Sequence, residues 1–65
     1  MPLIQITMLA GRSPEQKRRI AQRITEVVAE EALTAREGIV VSFYEVSKES
    51  YAIGGQLIID KQRSS

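Results

Sequence analysis

A chain of 65 residues with no cysteine and no histidine has few ways to hold itself together. A domain of this size encloses only about 60% of the surface that its unfolded chain exposes, which leaves it marginal by itself. Small scaffolds gain the missing stability from disulfides, a structural metal or association. The absent thiols remove the first. The second is left with oxygen ligands alone, and no acidic cluster gathers them. Association remains. The apolar share, 43%, suits a globular chain. The expectation is a single domain, residues 1–65, that completes its core against other copies.

Charge narrows the partners. Nine basic residues against eight acidic ones give a net charge of +1, too even a balance for a surface devoted to nucleic acid or membrane. The run Lys17-Arg18-Arg19, with Arg12 and Arg23 nearby, reads as a solvated helix face, because base-reading modules carry a stronger basic excess. Glu45 and Lys48 read as surface or interface charges. No apolar run approaches the ~20 residues of a membrane span, and the N-terminus lacks the basic start and long apolar stretch of a secretion signal. A cytoplasmic protein without metal or cofactor is expected.

Apolar periodicity divides the chain. Ile4, Ile6 and Met8 alternate with Leu3, Gln5, Thr7 and Leu9, the period of a strand. Ala10-Gly11-Arg12 interrupts it. Ser13 then offers a helix N-cap, Pro14 suits the first helical position, and Gln16 completes a Ser-x-x-Gln capping box. Ile20, Ile24, Val27 and Val28 recur at helical spacing, so an amphipathic helix is predicted to about Leu33. After a loop over 34–38, Ile39 to Val46 is rich in β-branched and aromatic residues and reads as a second strand.

Strand, helix and strand make a β-α-β unit with parallel strands and a right-handed crossover. Parallel sheets normally have both faces covered, and one helix covers one. The glycine pair inside Tyr51 to Ile59 predicts a tight hairpin able to reach over a neighbouring subunit. Lys61 to Ser65 read as a solvated tail.

The usual instruments of catalysis are nearly absent. One candidate remains at the start of the chain. Processing readily removes an initiator methionine before a small residue, and loss of Met1 would turn Pro2 into a free pyrrolidine amine. An unperturbed α-amino group titrates at about 7.7–8.0, and proline's secondary amine is intrinsically more basic. An apolar pocket and nearby arginines would disfavour its protonated form and make it a general base near neutral pH. With Met1 in place the nitrogen is an amide and cannot take that role. A proline here also simply suits the first residue of a strand.

Four segments together carry a resemblance: Met1-Pro2-Leu3-Ile4-Gln5-Ile6, Leu9-x-Gly11-Arg12-Ser13-x-Glu15-Gln16-Lys17, Glu45-x-x-Lys48 and Tyr51-x-Ile53-Gly54-Gly55. Over nearly its whole length the chain resembles the 4-oxalocrotonate tautomerase family. That resemblance implies an α+β fold, a β-α-β subunit with a short C-terminal hairpin. Subunits pair into a four-stranded sheet, and three dimers make a hexamer. It implies proton transfer within a small unsaturated 2-keto acid or its enol, with Pro2 as the base. Arg12 takes the place of an arginine that grips the substrate carboxylate, often across a subunit boundary. Leu9 and Tyr51 take the places of pocket-lining residues, the latter usually phenylalanine.

One departure bears on mechanism. Many members carry a second arginine early in the second strand, where an ungapped comparison puts Val40. Valine donates no hydrogen bond to the charge that develops on a 2-keto oxygen, and losing one such donor typically costs about 10²–10³ in rate. Arg36, four residues earlier, and Arg63 in the tail are the cations left to replace it. Two alternatives stand beside the tautomerase reading. One is a non-catalytic or half-catalytic subunit of a hetero-oligomer whose partner supplies the cation. The other is a proline-dependent hydratase or dehalogenase, for which no water-positioning carboxylate is assignable.

Overall fold

The computed structural model describes residues 1–63. Strand β1 spans Leu3–Leu9, helix α1 Pro14–Glu31 and strand β2 Val40–Val46. β1 and β2 pair in parallel, in a register running from Leu3 opposite Val40 to Leu9 opposite Val46. The β-α-β unit is therefore as the sequence predicts.

The capping box forms as read. Ser13 Oγ accepts from the Gln16 N–H at 3.1 Å, and Gln16 Oε1 accepts from the Ser13 N–H at 2.9 Å. Two amides of the first turn are thereby satisfied. Ser13→Ala should lower stability by about 1 kcal/mol, read as a lower thermal midpoint at fixed protein concentration.

The helix stops two residues before the predicted Leu33. Leu33 adopts a left-handed φ of 52°, and the Thr34 N–H reaches back to the Ala29 carbonyl at 3.2 Å. This is a Schellman closure, built here without the usual glycine. A 3₁₀ turn, Arg36–Gly38, follows. It consumes the Ile39 N–H in a bond to the Arg36 carbonyl, so β2 starts at Val40 and not at Ile39.

α1 covers one face of the two-stranded sheet. Its half-buried Ile20, Ala21, Ile24 and Val28 face the sheet side that carries Ile4, Ile6, Val41 and Phe43. Lys17 Nζ donates to Glu45 Oε2 at 2.9 Å, pinning the helix to β2. Both stay near the surface, as the sequence reading has them, and the structure adds that they pair. The opposite sheet face is bare: Leu3, Val40 and Tyr44 are 65%, 43% and 57% exposed.

Beyond β2 the chain forms an arm. A 3₁₀ turn, Lys48–Ser50, leads to β3, Ala52–Ile53, and antiparallel β4, Gln56–Leu57. Gly54 and Gly55 join the strands at φ of 60° and 86°, the pair of positive angles that a type I′ turn demands. The hairpin is shorter than the predicted 51–59 stretch. The start of the tail is helical: α2, Ile58–Arg63, packs back on β4 and the 3₁₀ turn, with Lys61 exposed as the sequence reading has it. Ser64 and Ser65 lie outside the described residues.

Among the described residues no side chain is fully enclosed. The radius of gyration is 15.4 Å, against about 11 Å for a compact domain of this length. The single chain is thus an extended body with a projecting arm.

Candidate active site

Each candidate residue has a definite place on this frame. Pro2 is half-buried at the head of β1, and its carbonyl accepts from the Val40 N–H at 3.0 Å. That bond ties the Pro2 peptide to the start of β2. Met1 is 97% exposed.

Leu9 closes β1 at the other end and is half-buried. Gly11, at φ 125°, turns the chain in a way that a side chain would resist. Arg12 follows it into solvent, and no ion pair or hydrogen bond engages its guanidinium among the described residues. Its placement leaves both edges of the planar fork free for a carboxylate.

Tyr51 stands where the arm begins, 38% exposed. Its carbonyl accepts from the Ile58 N–H at 2.9 Å, which closes the hairpin base and steadies the residue. Leu9 lies opposite Val46, so Leu9, with Arg12 three residues on, lies at the C-terminal end of the parallel sheet, and Tyr51 follows that end in the arm. Pro2 occupies the N-terminal end.

At ~3.3 Å per residue the seven-residue β1 holds its ends about 20 Å apart. A small keto acid spans far less. One chain therefore cannot bring its own Pro2 and Arg12 to the same substrate. Two of the depressions among the described residues lie along α1 and at the end of β2. One of about 260 Å³ is lined by Gln16, Arg19, Ile20 and Arg23. The other, of about 550 Å³, is lined by Tyr44, Glu45, Val46, Ser47 and Ser50. Neither contains Pro2, Leu9, Arg12 or Tyr51.

The cations suggested as replacements at Val40 are not gathered there. Arg36 points its Nη1 to Glu26 Oε1 at 3.9 Å, toward α1. The side chain of Arg63 is outside the described part of the structure. The Lys17–Glu45 bond was not foreseeable, because 28 residues separate partners that no local pattern connects.

The family model for tautomerase enzymes matches residues 2–61, opening on Pro2. The chain belongs to the tautomerase family. This tautomerase is 43% identical to a probable tautomerase of Bacillus cereus over 61 residues, which are 94% of this chain and all of that one. It is 39% identical to the 2-hydroxymuconate tautomerase of Bacillus subtilis over 62 residues, 95% of this chain and the whole relative. The 4-oxalocrotonate tautomerase isozymes of Methylibium petroleiphilum share its fold with a TM-score of 0.94 at 30% identity, covering 98% of this chain and all of theirs. The relatives carry the isomerase class over to this tautomerase. No helix among its described residues is long and apolar enough to cross a membrane.

Proposed function

We propose that this tautomerase uses the Pro2 amine, freed by removal of Met1, as a general base that moves a proton within a small unsaturated 2-keto acid or its enol. The observation carrying this reading is the anchoring of Pro2. Its carbonyl is held by the Val40 N–H and the residue is half-buried, while Met1 stands in solvent. Cleavage would expose an amine already in position, with no rearrangement of the strand. The similarity to 2-hydroxymuconate tautomerase supports 2-hydroxymuconate or a related enol as substrate.

In this reading the proline nitrogen takes a proton from one carbon or from the enol oxygen and returns it to another carbon. Arg12 holds the substrate carboxylate with two parallel hydrogen bonds and draws electron density toward it. Leu9 and Tyr51 keep water from the amine. The distance along β1 favours an arrangement in which Pro2 and Arg12 of one site come from different copies. Pairing of sheet edges into a four-stranded sheet, and of three such dimers into a homohexamer, would supply those copies and cover the bare sheet face.

The apolar side chain of Val40 favours a second reading. Arg36 leans toward Glu26 at 3.9 Å, so among the described residues it is not held as a replacement cation at the start of β2. A homologous partner subunit bearing that arginine would complete the site in a hetero-oligomer.

Native mass spectrometry of protein from its own cell tests these points together. The expected result is a six-copy assembly of chains that each lack Met1. Retained Met1 removes the base, and a monomer at micromolar concentration removes the composite site. Two chain masses in one particle would select the second reading.

A further inference from the structure

The turn that carries Arg12 is held by bonds and not by packing. Every residue from 10 to 16 is exposed, and Lys17 is the first half-buried residue of α1. On the strand side, the Ala10 N–H donates to the Val46 carbonyl at 2.9 Å. On the helix side, Ser13 is caught in the capping box with Gln16, and its carbonyl accepts from the Lys17 N–H at 3.1 Å. Lys17 Nζ then reaches Glu45 Oε2 at 2.9 Å, and Glu45 directly precedes Val46 in β2. These links close a ring that runs from Val46 through Ala10, Ser13, Lys17 and Glu45 back to Val46. Gly11 and Arg12 span the gap between its strand anchor and its helix anchor.

The Lys17–Glu45 link is the side-chain bond of that ring that ties helix to sheet. Arg19–Glu15 and Arg36–Glu26 are long contacts, 3.7 and 3.9 Å, between side chains more than half exposed. Lys17 and Glu45 are 25% and 35% exposed at 2.9 Å. A pair partly withdrawn from water gains little net stability, because desolvation offsets the attraction, but it fixes a geometry. The exposed turn has no packing to do this instead. Gly11, at φ 125°, has no Cβ to restrict its backbone. Without the link, the first turn of α1 is free to shift over β2. Gly11 absorbs the change, and Arg12 moves with Ser13.

We infer that Lys17 and Glu45 are positioning residues for Arg12, on the reading that Arg12 grips the substrate carboxylate. Their effect passes through the backbone of residues 10–13 and reaches the substrate only by way of the guanidinium. A bidentate fork is sensitive to such a displacement, since both of its hydrogen bonds must point at one carboxylate.

Steady-state kinetics of the purified enzyme with 2-hydroxymuconate test it. Lys17→Met is expected to raise KM roughly 10-fold while kcat stays within about two-fold, because carboxylate binding is weakened and the amine is untouched. The reversed pair, Lys17→Glu with Glu45→Lys, is expected to bring KM back to within about three-fold of the parent, since it restores the link with opposite polarity. Added to Arg12→Ala, Lys17→Met is expected to change KM no further, as befits a residue that acts through Arg12. A purely structural role would lower the folded fraction, and with it kcat, and leave KM alone. Parental KM in Lys17→Met, or no rescue by the reversed pair, would overturn the positioning role while Arg12→Ala still raised KM. Parental KM in Arg12→Ala would overturn the reading of Arg12 itself, and the positioning role with it.

Discussion

The Pro2→Ala protein is expected to ketonise 2-hydroxymuconate roughly 10²–10⁴-fold more slowly than the parent chain, the usual contribution of a positioned general base. Alanine also permits removal of Met1, so the comparison replaces a rigid ring amine by a mobile primary one. The Val40 N–H would still hold the carbonyl of residue 2, so the loss belongs to the amine and not to the strand. A chain engineered to retain Met1 should lose at least as much. An unchanged rate in Pro2→Ala would assign the base elsewhere.

Arg12→Ala should lower kcat/KM by about 10²–10³, because two charge-assisted hydrogen bonds to a carboxylate are lost together. Arg12→Lys should recover only part of this, since an ammonium cannot present the planar fork. The more telling measurement combines the two variants. If Pro2 and Arg12 of a site come from different copies, co-refolding equal amounts of Pro2→Ala and Arg12→Ala chains re-creates intact sites. Random mixing places both functional residues at about a quarter of them, and close to a quarter of parental activity should return. Steady-state rates before and after mixing decide it. No recovery would mean that one chain furnishes both groups, against the separation along β1.

Much of the architecture was legible because it rests on local rules. Ser13, Pro14 and Gln16 mark the start of α1 to the residue, since a capping box needs only neighbours three positions apart. The Gly54-Gly55 pair likewise marks its turn, because both positions need positive φ. The end of α1 was harder. Leu33 takes the left-handed conformation without the glycine or asparagine that usually announces it, and is 90% exposed. The same holds for α2, whose few residues are fixed by packing on the arm and not by periodicity.

The candidate residues themselves could be named from sequence, but their separation could not. Pro2 and Arg12 are ten positions apart, a spacing compatible with contact in a turn or a helix. Only an uninterrupted strand between them sets them at opposite ends of the sheet. The pairing of Lys17 with Glu45 was out of reach for the related reason that the crossover, not the sequence, makes them neighbours.

That no side chain among the described residues is wholly enclosed has, for the proposed assembly, a consequence in the living cell. In the proposed assembly, where each copy completes its interior against others, folding would rise with the number of copies present. Catalysis would then rise more steeply than gene dosage. A freshly synthesised copy would stay open to proteases until it met others, making scarcity itself a form of repression.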